Sequence, residues 1–312
     1  MKYLVTGVAG FIGSHIAERL VGEGHEVVGL DNFATGYREN MATFIDDIEF
    51  IDGDIRELET CHRACEGVDH VIHQAALGSV PRSVKDPVAT HESNATGTLN
   101  MLVAARDADA DSFVFAASSS VYGDTDVLPK VETMKLRPMS PYATTKAMGE
   151  HYIANFADVY GLNTVGVRYF NIFGPRQDPD GPYAAVIPKF INILLEGGTP
   201  TIHWDGEQTR DFTYIDNAVD ANILATRHAE RAAGEVMNVG CGDRISINQL
   251  YESITKHLGV DVDPDYGDKR PGDVRDSLAD ISKAGELIDY EPLVEVDEGL
   301  RRTVEWFEKQ AE

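Results

Sequence analysis

The turn between the first apolar run and the first amphipathic segment constrains the fold most strongly. Its glycines stand three residues apart, at Gly7, Gly10 and Gly13. Gly7 permits a tight reversal, Gly10 lets the backbone approach a pyrophosphate, and Gly13 lets a helix pack close to the strand. The N-terminus of that helix turns free N–H groups and its positive dipole end toward the phosphates. The turn predicts a dinucleotide site, and a glycine turn without a ligand is the alternative.

An acid at the end of the next strand indicates which dinucleotide binds. Asp31 follows the apolar run Glu26–Leu30 and lies about 20 residues beyond the turn, where a carboxylate accepts both hydroxyls of an adenosine ribose. Asn32 follows in place of an arginine, so a 2′-phosphate would meet a negative charge, and NAD is favoured over NADP. Asp54 and Ile55 end the third strand and are expected beside the adenine. The predicted cofactor contacts in this part of the chain are Gly7, Gly10, Phe11, Ile12, Gly13, Asp31, Asn32, Asp54 and Ile55.

Strand-like and helical segments alternate through the first half of the chain. Short apolar runs occupy positions 3–5, 26–30, 48–51, 70–73, 112–116 and 164–168. Repeated strand, crossover and strand predict an α/β fold, a Rossmann-type doubly wound parallel sheet. After Phe170, Gly-Pro and Asp-Pro pairs break the rhythm. We therefore expect an NAD-binding domain over 1–170 and a smaller C-terminal substrate-binding lobe over 171–312, from which some strands return to the first domain.

Charge limits the partners of the chain. Its 312 residues include 52 acidic and 27 basic side chains, a formal net charge of −25. A field of this sign repels nucleic acid and anionic membranes, so neither is an expected partner, and any phosphate site must be built locally from Arg, Lys and backbone N–H groups. The spread of acids along the chain fits either an ordinary solvated surface or adaptation to high salt. The sequence shows no apolar run near ~20 residues and no signal peptide, which predicts a cytoplasmic protein.

The cysteines predict neither disulfides nor a metal site. Cys61, Cys65 and Cys241 are too few for a disulfide framework. Cys61 and Cys65 lie four residues apart with His62 between them, but a metal would need another ligand pair at short spacing. Buried or half-buried thiols are expected instead.

One tyrosine of the 12 is followed by a lysine four residues later. Tyr142 and Lys146 lie on a predicted helix over 141–159 and project from one face of it. To act as a base near neutral pH, a tyrosine must lose about three units from its usual pKa, roughly 4 kcal/mol of phenolate stabilisation. A neighbouring ammonium and a positive nicotinamide ring can supply this in a water-poor site. Tyr142 is the predicted base and Lys146 its partner and an anchor for the nicotinamide ribose; a surface ion pair is the alternative.

Together these motifs resemble the extended short-chain dehydrogenase/reductases, and within them the UDP-glucose/UDP-N-acetylglucosamine 4-epimerase family, over nearly the whole chain. The segment Ser118–Gly123 matches the family's strand-five loop, which implies that Ser118 hydrogen-bonds the reacting sugar hydroxyl. Nucleotide-sugar 4,6-dehydratases carry Asp-Glu at the next two positions, and UDP-glucuronate decarboxylases carry Glu at the second. Here they are Ser119 and Ser120, so elimination and decarboxylation lack their acid. Oxidation and reduction at one carbon remain.

The sugar-nucleotide site is inferred from further resemblances. The junction after the sixth strand implies that Tyr169 lies by the nicotinamide and that Asn171 binds the substrate diphosphate. Two later segments carry Arg210 and Arg270, whose guanidinium forks match phosphate oxygens. The implied substrate residues are Ser79, Ser118, Ser119, Ser120, Tyr142, Asn171, Arg210, Arg270, Asp273 and Ser277.

Segments 77–83 and 178–188 resemble the branch of UDP-sugar 4-epimerases that prefers N-acetylated hexoses. Ser277 stands where strict UDP-glucose enzymes close the sugar pocket with a tyrosine, and its small side chain leaves room for an acetamido group. The resemblance therefore implies an NAD-dependent UDP-hexose 4-epimerase that inverts C4 through a 4-keto intermediate and accepts UDP-GlcNAc/UDP-GalNAc as well as UDP-Glc/UDP-Gal.

Three alternatives stay open: a UDP-glucuronate 4-epimerase, a strict UDP-glucose 4-epimerase, and a non-catalytic NAD-binding sensor or scaffold. On the resemblance alone, a homodimer is expected through helices near 90–106 and 141–159. The UDP-sugar substrate is the expected small-molecule partner.

Overall fold

The computed structural model describes residues 1–180, 185–269 and 274–311. Its strands are β1 (Lys2–Thr6), β2 (Glu26–Asp31), β3 (Glu49–Asp52), β4 (His70–His73), β5 (Ser112–Ser118), β6 (Thr164–Tyr169), β7 (Ile172–Phe173), β8 (Thr201–His203), β9 (Thr209–Arg210), β10 (Thr213–Tyr214), β11 (Val236–Val239), β12 (Ile245–Ser246) and β13 (Asp265–Gly267). In these ranges, seven of them form one parallel sheet in the order β11-β6-β5-β4-β1-β2-β3. The predicted doubly wound α/β fold is confirmed.

The helices are α1 (Phe11–Gly22), α2 (Leu58–Cys65), α3 (Val80–Lys85), α4 (Pro87–His91), α5 (Gly97–Asp107), α6 (Pro141–Tyr160), α7 (Val186–Leu195), α8 (Ile215–Arg227), α9 (Ile247–Leu258), α10 (Ser282–Ile288) and α11 (Val296–Ala311). A π-helical segment, Glu92–Thr96, joins α4 to α5 without a break. The long helix α6 starts at a proline, which suits the first helical turn, and its N-cap Ser140 accepts a hydrogen bond from the Ala143 N–H at 3.1 Å.

Helices cover both faces of the sheet, because its central strands are apolar on both sides. On one face α2, α5 and α6 pack against one another and against the strands. On the other face α1 and α8 pack together. Cys61 and Cys65 are buried free thiols in the first of these layers, and Cys241 is a half-buried free thiol, as the sequence predicted.

After β6 the chain continues in short strands and amphipathic helices. Helices α7, α9 and α11 pack around Phe190, Tyr251 and Phe307, and this apolar cluster continues to Ile16 of α1. Strand β11 comes back to the main sheet, where it pairs with β6. Among the described residues, no helix is long and apolar enough to span a bilayer.

The parallel register brings the carboxyl ends of the strands to one edge of the sheet. Thr6 is paired with both Leu30 and His73, and Ser118 is paired with Tyr169. The loops after β1, β2, β4, β5 and β6 therefore open onto the same edge, where ligands of open α/β sheets bind.

Candidate active site

The glycine turn is tight enough to require its glycines. Gly7 has a φ of +70°, which disfavours other residues. A Cβ on Gly13 would lie 2.1 Å from the Gly7 carbonyl oxygen, so any side chain there would push the helix off the strand. Gly10 is the N-cap of α1, and its own N–H donates to the Gly7 carbonyl at 3.0 Å. The first N–H groups of α1 thus face the open edge of the sheet and form a cradle that suits phosphate.

Four adjoining cavities follow this edge, and each is named here after one residue. The Asp31 cavity is lined by Gly7, Gly10, Asp31, Asn32, Asp54 and Ile55. The Lys146 cavity, of about 560 Å³, is lined by Phe11, Ile12, Gly13, Ser79, Tyr142, Lys146 and Tyr169. The Ser118 cavity, of about 600 Å³, is lined by Ser118, Ser119, Ser120, Tyr142, Tyr169, Asn171, Arg210 and Ser277. The Lys189 cavity, of about 360 Å³, is lined by Asn171, Lys189, His203, Gln208 and Arg210.

Asp31 braces the turn as well as lining its cavity. One carboxylate oxygen accepts the Ala9 N–H at 2.9 Å and the other accepts the Phe33 N–H at 2.7 Å. Burial raises the pKa of Asp31. A carboxylate offers about four lone-pair sites, so two acceptor positions are left for a ligand's hydroxyls. Asn32 donates to Asp54 at 2.9 Å, which ties together two of the predicted adenine-side residues.

Tyr142 and Lys146 lie one turn apart on α6, and Tyr142 lines both the Lys146 and Ser118 cavities. The Lys146 ammonium is buried, donates to the Ala116 carbonyl at 2.7 Å, and lies 5.9 Å from the centre of the Tyr142 ring. Burial lowers the pKa of Lys146 to about 8. The pair therefore holds a base candidate and a cation where two cavities meet.

The protein groups alone do not give Tyr142 a low pKa. Burial raises the pKa of Tyr142, and a hydrogen bond with Ser118 only partly offsets this. The Lys146 ammonium is turned to the Ala116 carbonyl, which explains why the lysine does not lower it further. The second positive charge expected to stabilise the phenolate is that of the nicotinamide ring, which these protein groups do not replace.

The serines after β5 form a local hydrogen-bonded turn. Ser118 is the N-cap of the short 3₁₀ turn Ser119–Tyr122, accepts the Ser120 N–H at 3.2 Å, and donates to the Ser120 hydroxyl at 2.9 Å. Capping and ligand binding are compatible here, because a hydroxyl oxygen has two lone pairs. Ser118 lines the Ser118 cavity together with Tyr142, and the two side chains are hydrogen-bonded.

Asn171 and Arg210 line both the Ser118 and Lys189 cavities and so connect them. Asn171 donates to the Asp211 carbonyl at 2.9 Å, and Arg210 donates to the Thr209 carbonyl at 2.8 Å. The N–H of Ser277 donates to the same Thr209 carbonyl at 3.1 Å, which carries Ser277 to the floor of the Ser118 cavity. Of the other substrate-site predictions, Arg270 and Asp273 lie outside the described residues.

Several lining residues have no motif in the sequence that would have revealed them. Arg82 of α3 lines the Lys146 cavity beside Ser79, the N-cap of that helix, which was predicted as a substrate residue. Lys130 is buried at the edge of the Ser118 cavity. Lys189 and Gln208 line the Lys189 cavity. A lysine in a helix or loop without a spacing pattern looks like a surface residue, so folding alone reveals these positions.

The loop after Gly174 crosses to the cofactor side. Arg176 donates to Glu18 of α1 at 2.6 Å, and the Tyr37 hydroxyl donates to Asp178 at 2.8 Å. Asp178 also lines the Lys146 cavity. These two contacts fasten the loop on both sides of the glycine turn. Within the described ranges, no group of three or more His, Cys, Asp or Glu side chains could hold a metal.

A glycine-turn Rossmann sheet with a tyrosine–lysine pair at its open edge defines a dinucleotide-dependent enzyme class. Residues 3–240 match the NAD dependent epimerase/dehydratase family, and the chain belongs to that family. The resemblance to extended short-chain dehydrogenase/reductases, the NAD cofactor and the assignment to NAD-dependent epimerases, which are isomerases, are confirmed.

Three similar proteins extend over essentially the whole chain. UDP-glucose 4-epimerase of Mycolicibacterium smegmatis is 39% identical over 316 residues, covering 100% of both chains. The structure of UDP-N-acetylglucosamine 4-epimerase from Methanobrevibacter ruminantium has a TM-score of 0.94 at 41% identity, covering 99% of this chain and 98% of the other. UDP-glucose 4-epimerase of Thermotoga maritima gives a TM-score of 0.94 at 38% identity, with 100% of both chains covered. Two of these names give UDP-glucose as the sugar nucleotide and one gives UDP-N-acetylglucosamine.

Proposed function

We propose that this protein is a UDP-hexose 4-epimerase that accepts UDP-GlcNAc/UDP-GalNAc as well as UDP-Glc/UDP-Gal. The observation that carries the proposal is the position of Tyr142, whose side chain lines both the Lys146 cavity, beside the glycine turn, and the Ser118 cavity. A sugar in the Ser118 cavity would thus meet the base and the cofactor at one place.

The residues around the cofactor groove fit NAD. Close packing of Gly13 against Gly7 leaves room for a pyrophosphate at the start of α1, and Asp31 retains acceptors for ribose hydroxyls. We assign Gly7, Gly10, Phe11, Ile12 and Gly13 to the pyrophosphate, Asp31, Asn32, Asp54 and Ile55 to the adenosine, and Tyr142, Lys146 and Tyr169 to the nicotinamide ribose and ring. NAD, when bound, accepts hydride from the sugar C4 and returns it.

The chain's own groups would move one proton and hold the substrate. The Tyr142 phenolate takes the proton of the sugar 4-hydroxyl, and the Ser118 hydroxyl orients that hydroxyl. Lys146 keeps its positive charge close to the phenolate. Asn171 and Arg210 hold the diphosphate between the Ser118 and Lys189 cavities while the 4-keto sugar turns over. Tyr142 then returns the proton to the inverted 4-hydroxyl.

Two neighbouring reactions lack their acid in this site. Ser119 and Ser120 follow Ser118 at the positions where dehydratases and decarboxylases carry carboxylates. Two acids, Asp124 and Asp276, line the Ser118 cavity among the described residues. Asp276 accepts from Thr209 at 2.5 Å and pairs with Arg244 at 3.4 Å, and a carboxylate engaged in this way is not poised to move a substrate proton. Asp124 stands at neither of the two positions where dehydratases and decarboxylases carry their acids.

The broad sugar preference is supported by Ser277. Its side chain lines the Ser118 cavity, and its small volume leaves space beside a hexose for a 2-acetamido group. A cavity of about 600 Å³ lies within the range typical of small-molecule sites. The rivals among enzymes are a UDP-glucuronate 4-epimerase and a strict UDP-glucose 4-epimerase.

We also propose a homodimer through the helices near 90–106 and 141–159, which correspond to α5 with the turn before it and to α6. Val159 near the end of α6 is 61% exposed, and Val84 and Val88 on α3 and α4, which pack against α6, are each 65% exposed. A second copy that covers these side chains would remove them from water.

The proposal is tested by incubating the purified protein separately with UDP-GlcNAc, UDP-glucose and UDP-glucuronate, followed by chromatography of the nucleotide sugars. We expect the 4-epimers of the first two and no product from the third. Product from UDP-glucuronate alone would support the glucuronate rival. No product from any of the three would favour the non-catalytic NAD-binding alternative.

A further inference from the structure

A closed ring of hydrogen bonds joins three side chains beneath the open edge of the sheet. The Tyr169 hydroxyl donates to Gln74 Oε1 at 3.1 Å, Gln74 Nε2 donates to Asn222 Oδ1 at 3.0 Å, and Asn222 Nδ2 donates to the Tyr169 hydroxyl at 2.7 Å. The three residues come from distant parts of the chain: the end of β4, the end of β6 and the middle of α8. Asn222 is completely buried.

One backbone carbonyl determines the direction of every bond in this ring. Asn222 Nδ2 also donates to the Ala218 carbonyl at 2.7 Å, and a carbonyl can only accept. The amide of Asn222 must therefore present its oxygen to Gln74, and Gln74 must answer with Nε2. Gln74 then turns its oxygen toward Tyr169, so the Tyr169 hydroxyl must donate there. The proton of the Tyr169 hydroxyl is therefore used in the hydrogen bond to Gln74.

The ring lies beside the predicted base, because its member Tyr169 lines the same two cavities as Tyr142. Tyr142 and Tyr169 both line the Lys146 and Ser118 cavities, and Gln74 lines the Lys146 cavity. Two phenols therefore share the wall around the reacting carbon. The hydroxyl of Tyr142 is left to the substrate, whereas that of Tyr169 is held by two amides. Burial raises the pKa of Tyr169, with the hydrogen bonds to Asn222 and Gln74 acting in the opposite direction.

We propose that Gln74 and Asn222 are positioning residues that hold Tyr169 as a fixed wall of the site, so that Tyr142 alone of these two phenols exchanges a proton with the sugar. This inference rests on the proposed epimerase function. A hydrophobic side chain at either amide position would fill the space but release the Tyr169 hydroxyl. Asn222 is fully buried and Gln74 and Tyr169 are partly buried, so their polar groups carry a desolvation cost, which the ring offsets only while it stays closed.

The expected signature is a loss of kcat without a loss of substrate binding. The UDP-sugar is held mainly at its diphosphate by Asn171 and Arg210, away from the ring, so KM should stay within about twofold in a ring variant. A wall displaced by about 1 Å near the reacting atoms lowers the rate by about 10-fold to 100-fold. Gln74→Leu and Tyr169→Phe should each lower kcat in this range and keep bound NAD, measured as the absorbance of released nucleotide.

A double-mutant cycle tests whether the side chains act as one unit. If they do, the double variant Gln74→Leu/Tyr169→Phe loses no more kcat than either single variant. Asn222→Leu should lower kcat as Gln74→Leu does. If Asn222→Leu does not fold, because Asn222 is buried, the test can still be made with Gln74→Leu, because Gln74 is partly exposed. Thr226→Val is the matched control, since Thr226 lies one turn further along α8, donates to the Ile223 carbonyl at 2.8 Å and lines none of the four cavities. It should retain wild-type kcat.

Losses that multiply in the double variant, a raised KM with unchanged kcat, or an equal loss in Thr226→Val would overturn the positioning role while leaving the epimerase function intact. A wild-type protein that turns over none of the UDP-sugars would instead overturn the proposed function, and the role of the ring with it.

Discussion

The cofactor side and the sugar-nucleotide side of the site differ in the positively charged groups that they offer to a diphosphate. A chain with a net charge of −25 must bind two diphosphates. On the cofactor side the nearby side chains include the acids Asp31, Asp54 and Asp178, and the N-terminus of α1 supplies the positive end. On the sugar side, cationic side chains such as Arg210 and Lys189 line the cavities. We therefore expect backbone dipoles to serve mainly the cofactor diphosphate, although Arg82 and Lys146 also line that cavity, and side-chain charges to serve the other diphosphate.

The two sides also differ in how they are built. The cofactor side rests on long parallel strands, and its turn and its acid come from adjacent strands. The sugar side rests on two-residue strands, where backbone hydrogen bonds from Thr213 to Asn171 and from Ser277 to Thr209 join segments that lie far apart in the sequence. We therefore expect most substitutions on the cofactor side to disrupt binding, and we expect a single substitution on the sugar side to change which substrate is accepted.

The strongest prediction concerns Tyr142, which belongs to both sides. Tyr142→Phe removes the base and leaves both binding sites, so turnover should fall by the ~10²–10⁴-fold typical of general acid–base groups. Bound NAD and the affinity for UDP should stay at wild-type values, measured by released nucleotide and by calorimetry. A variant that keeps most of its turnover would contradict the assignment of Tyr142 as the base. Loss of NAD would show that Tyr142 is also needed to hold the cofactor.

The same difference between regular strands and two-residue strands explains why the sequence predicts the cofactor side better than the sugar side. Gly7, Gly10, Gly13 and Asp31 form a local pattern at the end of regular strands, so periodicity and spacing were enough to place them at one edge. The serine turn and the tyrosine–lysine pair follow regular elements too. The double function of Asp31, which also holds the Ala9 and Phe33 N–H groups, carries no pattern in the sequence.

The sugar side could be predicted only by resemblance. Strands of two residues show no alternation, and Lys130, Lys189 and Gln208 reach their cavities only through the packing of distant segments. The ring of Gln74, Tyr169 and Asn222 is invisible for the same reason, because its members lie up to 148 positions apart.

Ser277→Tyr tests whether the sugar side is as adjustable as its construction implies. A tyrosine at the floor of the Ser118 cavity should overlap a 2-acetamido group and clear a 2-hydroxyl, because the cost is steric. Turnover of UDP-GlcNAc should fall by about 100-fold, near the limit for one pocket contact, and that of UDP-glucose by less than about threefold. Ser277→Ala is the matched control and should turn over both.

Equal losses on both sugars in Ser277→Tyr would point to damage of the whole lobe. Undiminished turnover of UDP-GlcNAc would show that Ser277 is not the gate, and the proposed N-acetyl tolerance would then lack its structural support. Bound NAD should not change in either variant, since the cofactor side is built from other strands.

The smallest expected effect is at Asp31, and it asks whether the cofactor side can be altered as selectively as the sugar side. Asp31→Ala removes the acceptors for the ribose hydroxyls and the charge that repels a 2′-phosphate, so NAD affinity should fall by about tenfold, the value of one hydrogen bond to a charged group. NADP affinity should not fall. Asp31→Asn is the control, because it removes the charge and keeps one oxygen, which can accept either the Ala9 or the Phe33 N–H but not both. If charge sets the choice, both variants shift the NAD/NADP ratio, measured by calorimetry. If bracing of the turn matters more, Asp31→Ala weakens both dinucleotides and lowers the unfolding temperature more than Asp31→Asn does. An unchanged ratio in both would mean that Asp31 does not face the ribose and acts only as a brace.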